Sequence, residues 1–393
     1  MRVRAKRPMT GRQGHVSLNF GLMSTHPPTE CGLATFNSAL AGHLATAGGK
    51  VGIVQVNGDG HPATLDPRVV HRWPTRQDRG WEGALTALNS FDVTIIQHEY
   101  GIYPGDDGED ILEVVSRLAT PSIVVLHTVL AAPTARQKFI LEQIVNMADT
   151  IVTMTDTARL RLLVGYAVDG GKVVVIPHGA NDHSRATAQD RGERPRLLTW
   201  GLLGPGKGLE WALRALARLR SLQPAPMYTI AGRTHPKILQ NHGDEYRESL
   251  HHLVDLLGIS SSVEFDPHYR DNASLSRLIK SADVVVLPYD STEQVTSGVL
   301  IEAVAAKVPV VATAFPHAVE LLTNGPGLVV PHRDPAALAT AIGRVLTEAG
   351  LSAHLVGKSH DQATTLLWPA VAERYAALAA RLLDGRVPVA ARL

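Results

Sequence analysis

The residues best suited to chemistry fall in one stretch, Pro288 to Glu302, flanked by the apolar runs Asp283 to Leu287 and Val308 to Ala312. Continuous apolar runs of this length predict buried parallel strands. The stretch therefore reads as a loop that leaves the carboxyl end of a strand and opens a helix. In open α/β sheets that edge is where ligands bind. Thr296 and Ser297 are helix-capping residue types, and Gly298 admits close approach to the backbone. Free N–H groups at a helix start attract phosphate, and Glu302 follows about one turn later. The chemistry this pattern supports is a diphosphate held on backbone N–H groups with a carboxylate beside it. An ordinary βα connection with a solvated Glu302 has the same local pattern.

Other candidates lie at predicted strand ends. Gly201-x-x-x-x-Gly206-Lys207 matches a phosphate-binding P-loop up to its last position, where Gly208 offers no oxygen for Mg²⁺. That leaves a glycine-rich turn presenting Lys207 to a phosphate, or a βα turn with an exposed lysine. In the first half, the Gly32 loop, His98-Glu99-Tyr100 and His127 all fall along one sheet edge. A single histidine there is usually structural, but several converging polar strand ends point to a site. Glu99 could orient or tune the His98 imidazole. Asp106-Asp107-Gly108-Glu109-Asp110 lacks the EF-hand spacing, and a solvated loop with an acidic helix start explains it. No metal is expected.

Two sets of alternating strands and helices must position these groups. In the first, strands are predicted at 16–20, 51–56, 93–97, 123–126, 150–154 and 173–176, with helices at 33–46, 81–88, 109–118, 134–147 and 157–166. In the second, strands are predicted at 196–200, 227–230, 263–265, 283–287, 308–312 and 328–330, with helices at 209–220, 246–257, 275–280, 335–349 and from Trp368 to about 383. The fold class is α/β, with two doubly wound Rossmann-like domains facing a cleft. The expected boundaries are a basic, disordered tail at 1–14, a first domain at 15–182, a polar linker at 183–195, a second domain at 196–366 and a terminal helical segment at 367–393.

The bulk composition narrows the function. The chain has 393 residues, 45% hydrophobic and 19% charged, with a formal net charge of +1. That balance argues against bulk nucleic-acid binding. Cys31 is the only cysteine, so no internal disulfide or cysteine-rich zinc site can form. No run approaches the roughly 18 apolar residues of a membrane span, so the cytoplasm is the expected compartment. Arg2, Arg4, Lys6, Arg7 and Arg12 leave room only for a weak contact with anionic lipid.

Lys207-Gly208, and Glu302 within Leu300 to Ala312, resemble the retaining glycosyltransferases of the family-4 type. Ile176-Pro177-His178-Gly179 resembles the end of that family's first domain, and Trp368 with the helix after it resembles the terminal helix that crosses back. The resemblance runs from about His15 to Tyr375. It implies the GT-B fold, a nucleoside diphosphate sugar as donor, a carbohydrate or other hydroxyl acceptor, and no required cofactor. Glu302 would bind the ribose, Thr296, Ser297, Gly298 and Val299 would cradle the diphosphate, and Lys207 and Arg233 would neutralise the departing phosphate. His127 would contact the transferred sugar, Gly32 would approach the donor phosphates, and His98, Glu99 and Tyr100 would face the acceptor or the sugar. The family pattern has a second glutamate where this chain has Gln294, next to Glu293, and an arginine where it has Leu202. Those departures keep a GT-B glycoside phosphorylase and a non-catalytic sugar-nucleotide or glycan-binding relative as alternatives.

Overall fold

A computed structural model describes residues 18–46, 48–57, 65–74, 79–187 and 192–385; the basic tail at 1–14 lies outside them. The first sheet contains β1 (Phe20–Ser24), β2 (Val51–Asn57), β3 (Val69–Pro74), β4 (Val93–His98), β5 (Ser122–Leu126), β6 (Thr150–Thr153) and β7 (Val173–Val175). They run parallel in the order β3-β2-β1-β4-β5-β6-β7. The second sheet contains β8 (Arg196–Trp200), β9 (Met227–Ala231), β10 (Val263–Asp266), β11 (Val284–Leu287), β12 (Val310–Thr313) and β13 (Gly327–Val330). These are also parallel, in the order β10-β9-β8-β11-β12-β13. In each sheet the strand order reverses at the first strand, which opens a crevice at the carboxyl edge.

Helices cover both faces. Those of the first half are α1 (Gly32–Thr46), α2 (Trp81–Leu88), α3 (Ile111–Val115), α4 (Ala135–Met147) and α5 (Asp156–Gly165). Those of the second are α6 (Leu209–Arg218), α7 (Pro236–His242), α8 (Glu245–Leu256), α9 (Asn272–Ser281), α10 (Gly298–Ala305), α11 (Pro316–Leu322), α12 (Pro335–Thr347), α13 (Leu351–Leu366) and α14 (Trp368–Leu383). No helix among the described residues is long and apolar enough to cross a membrane.

Every residue of β4, β5, β11 and β12 is buried, which is why they read as unbroken apolar runs. The first strand is the main correction. It was expected at 16–20 but begins at Phe20, and residues 16 and 17 lie outside the described set. Gly21 and Ser24 mask it in the sequence. A side chain at Gly21 would come within 2.9 Å of the Phe91 ring. β3, α7 and α13 were not anticipated. β3 is an edge strand in which only Trp73 is buried. α13 buries just Leu355, Ser359, Ala363 and Leu366, a seam too narrow to announce a helix. The helix expected at 109–118 shortens to α3, behind a 3-10 turn at Asp106–Gly108. There Arg136 pairs with Asp106 and Glu109.

α14 leaves the second domain and packs on the first. Trp368, Val371, Tyr375, Leu378 and Ala379 share one core with Phe20, Phe36 and Leu40. The Trp368 ring centroid lies 5.0 Å from that of Phe36. A side chain at Gly179 would sit 2.3 Å from Trp368 atoms, so glycine is needed there for close approach. Trp368 is 2% exposed. Replacing it by alanine should cost about 3–5 kcal/mol, the usual range for a buried large aromatic. Urea unfolding would show this as a lower midpoint, and an unchanged midpoint would mean that α14 does not hold the domains together.

Candidate active site at the start of helix α10

Ser297 caps α10 with extended backbone, and its hydroxyl accepts from Leu300 N at 3.3 Å. The Ser297 N–H donates to His317 Nδ1 at 2.8 Å. It is therefore committed, contrary to the expectation of a free N–H at that position. The amides of Gly298 and Val299 have no hydrogen-bond partner among the described residues. Gly298 has no side chain for a reason the sequence did not reveal. An added Cβ would lie 2.8 Å from His178 Nε2. His178 donates from Nδ1 to Gly179 O at 2.7 Å, so the unprotonated Nε2 faces the helix start. Burial holds its pKa below the usual value.

The loop ahead of α10 is docked on the first domain. Arg161 donates to Thr292 O and Glu293 O, at 3.0 and 3.2 Å, and pairs with the Glu293 carboxylate at 3.1 Å. Glu293 also accepts from Ala131 N at 2.8 Å, and the Thr155 hydroxyl donates to Val295 O at 3.0 Å. Glu320 of α11 accepts from Asp156 N and Thr157 N at the start of α5, at 3.0 and 2.8 Å. Glu293 thus faces the domain interface and does not stand in for the missing glutamate. Gln294 donates from Nε2 to Thr296 O at 3.2 Å. A glutamate there would set carboxylate against carbonyl, so an amide fits this loop better. The Thr296 hydroxyl is buried and unpaired among the described residues.

The three charged candidates, Lys207, Arg233 and Glu302, are each already partnered. Lys207 Nζ sits 4.4 Å from the centroid of the Tyr289 ring. Its turn requires glycine at 208, where φ is +63° and a Cβ would lie 1.9 Å from Pro288 O. The residue that ends the P-loop likeness is fixed by packing against the loop before α10. Arg233 reaches across the cleft to Glu30, at 2.9 and 3.1 Å. Both side chains are substantially exposed, at 55% and 35%, so the pair is worth no more than about 1 kcal/mol. Glu302 accepts from Asn181 N, Asn181 Nδ2 and His183 Nε2. Neither Asn181 nor His183 was anticipated; His183 was assigned to the linker.

The first domain contributes His127, which bonds from Nε2 to Gln97 Oε1 at 2.9 Å. That bond makes Nε2 the protonated nitrogen and leaves Nδ1 as an acceptor. Burial pushes the His127 pKa down to about 3, so the ring is neutral near pH 7 and is not a general acid. Gly32 opens α1 and is exposed, and a side chain added there would meet open space. Beside it, Cys31 Sγ accepts from Ala34 N at 3.4 Å. Glu99 accepts from Thr128 Oγ1 at 2.5 Å and Tyr100 N at 3.1 Å. His98 is only 1% exposed, and both of its ring nitrogens are unpaired among the described residues. Tyr100 is 8% exposed and packs edge-on against His98 at 5.1 Å. The structure therefore places both rings beneath the cleft surface, and only Glu99 of the three is partly open.

A family model described as Glycosyltransferase Family 4 matches residues 31–184, and one described as Glycosyl transferases group 1 matches residues 194–348. The chain belongs to the family-4 glycosyltransferases. Among curated relatives, the D-inositol 3-phosphate glycosyltransferase of Stackebrandtia nassauensis is 30% identical over 244 residues, 59% of this chain and 54% of that protein. Its counterpart in Geodermatophilus obscurus is 30% identical over 266 residues, 62% of this chain and 57% of that protein. The chain thus spans little more than half the length of these relatives. Sucrose-phosphate synthase from Thermosynechococcus elongatus superposes with a TM-score of 0.75 at 20% identity, covering 94% of this chain and 100% of that one. HepE from Anabaena, in complex with UDP and glucose, gives 0.73 at 14% identity, covering 92% and 99%. At these identities the likeness shows the GT-B fold.

Buried neutral histidines give this family member an acid-sensitive core. Burial lowers the pKa of His98 to about 4 and of His317 to about 3. In the unfolded chain both take up protons near 6.5. Stability from these two groups is therefore complete above that pH and is lost progressively as pH falls toward their folded values. Each should cost about 2 kcal/mol between pH 7 and pH 5. Denaturant unfolding at the two pH values measures the loss, and equal stability would contradict it.

Proposed function

We propose that the chain transfers a sugar from a nucleoside diphosphate sugar to a hydroxyl acceptor, with retention of configuration. The observation that carries this reading is the pair of amides, Gly298 and Val299, unpartnered among the described residues, at the capped start of the helix that carries Glu302. Two N–H groups and the positive end of a helix favour a diphosphate. UDP is the first nucleotide to test, because solved relatives include HepE with UDP-glucose and an E. coli trehalose-6-phosphate protein with UDP-2-fluoro glucose. A phosphorylated cyclitol is the first acceptor to test, given the name of the curated relatives.

Binding would exchange partners at low cost. Lys207 gives up an aromatic face worth about 0.5–2 kcal/mol for a charge-assisted bond to phosphate worth about 1.5–3 kcal/mol. Arg233 leaves an exposed ion pair for the same anion. In the transfer, the bond from sugar C1 to phosphate oxygen breaks as the acceptor oxygen attacks from the same face. The acceptor's proton passes to the leaving phosphate oxygen. The His127 Nδ1 lone pair would accept from a sugar hydroxyl and orient the ring. Gln294 would remain on its own loop as an uncharged hydrogen-bonding group near the sugar.

Incubation with UDP-sugars and a phosphorylated cyclitol should release UDP and form a glycoside with the donor's anomeric configuration. Phosphate-dependent release of a sugar 1-phosphate would instead identify a phosphorylase, and donor binding without turnover a non-catalytic relative. Lys207→Ala should lower kcat by about 100-fold or more through lost stabilisation of the leaving group; an unchanged kcat would remove Lys207 from that role. Glu30→Gln should tighten nucleoside diphosphate binding several-fold in calorimetry by releasing Arg233. Weaker binding would mean that Glu30 assists the donor.

A further inference from the structure

The carboxylate of Glu302 is held more tightly than a surface glutamate needs to be. Oε1 accepts from Asn181 Nδ2 at 2.8 Å and Asn181 N at 3.2 Å, while Oε2 accepts from Asn181 N at 3.2 Å and His183 Nε2 at 2.6 Å. His183 is buried, 2% exposed, and its other nitrogen is 2.9 Å from Ser276 Oγ. Ser276 Oγ, itself 2.7 Å from Asn272 O, seats that nitrogen, and the ring is held with Nε2 donating across the short contact to Glu302 Oε2.

The carboxylate plane is thereby fixed from one side by the chain that joins the two sheets, and a vicinal diol, whose two hydroxyls arrive together, would replace the long contact that Asn181 N shares between both oxygens. We propose that His183, seated by Ser276 and aided by Asn181, is a positioning residue that makes Glu302 a selective acceptor for the cis-diol of a ribonucleotide. This inference rests on the reading of Glu302 as the ribose ligand. It assigns to the stretch between the sheets a part in donor selection.

The test compares UDP, GDP and ADP with their 2′-deoxy forms by calorimetry, in wild type, His183→Ala, His183→Gln and Ser276→Ala. Wild type should prefer the ribonucleotide by about 10-fold or more, the worth of a hydrogen bond to a charged group. His183→Ala should lose most of that preference while keeping its affinity for the 2′-deoxy form. His183→Gln, which can still donate to Glu302, should recover part of it. Ser276→Ala retains the ring and covers the case in which His183→Ala fails to fold; it should reduce the preference in the same direction. Parallel loss of affinity for both nucleotides, or a preference unchanged in both His183→Ala and Ser276→Ala, overturns the proposal and leaves the donor reading intact. Failure of the wild type to bind any of the nucleoside diphosphates overturns both.

Discussion

Everything at the cleft depends on one close approach, that of His178 to the bare Cα of Gly298. It brings the last strand end of the first sheet against the start of α10 in the second. Any side chain at 298 would have to displace the His178 ring. His317 and Ser297 secure the same turn from within the second domain. Glu293, Arg161, Thr155 and Glu320 secure it from the interface. The result is a helix start held by both domains, at which the amides of Gly298 and Val299 remain unpartnered among the described residues. A preorganised pair of donors is what an anion site requires, because little reorganisation is left to make on binding.

The three charged candidates share a second property. Lys207 lies on Tyr289, Arg233 on Glu30, and Glu302 on Asn181 and His183. None waits as an isolated charge. The first two partnerships are weak and partly exposed, so a diphosphate can replace them. The third is buried and short, so a ligand must fit around it. This division suits a site in which phosphate binding draws movable cations inward while a fixed carboxylate reads the sugar ring of the nucleotide.

Much of this was legible in the sequence, for physical reasons. Parallel strands covered on both faces are apolar throughout, which made β4, β5, β11 and β12 plain. β1 was misplaced because Gly21 and Ser24 interrupt it, and α13 was invisible because its buried seam is only Leu355, Ser359, Ala363 and Leu366. Ser297, Glu302 and Lys207 could be singled out because they follow the carboxyl ends of strands, where the α/β fold places ligands. The same rule applies to Asn181 and His183, which follow closely after β7, yet the polar stretch around them looked like a simple connection. Glu30 and His317 left no local signal. Their importance comes from groups 203 and 20 residues away that only the fold brings together.

The central claim is that the two unpartnered amides at the start of α10 hold the donor's diphosphate. It is tested most directly by following the amide resonances of Gly298 and Val299 by NMR during titration with UDP. Both should shift strongly downfield and saturate together with the calorimetric binding curve. Saturable UDP binding that leaves these two resonances unmoved would contradict the account.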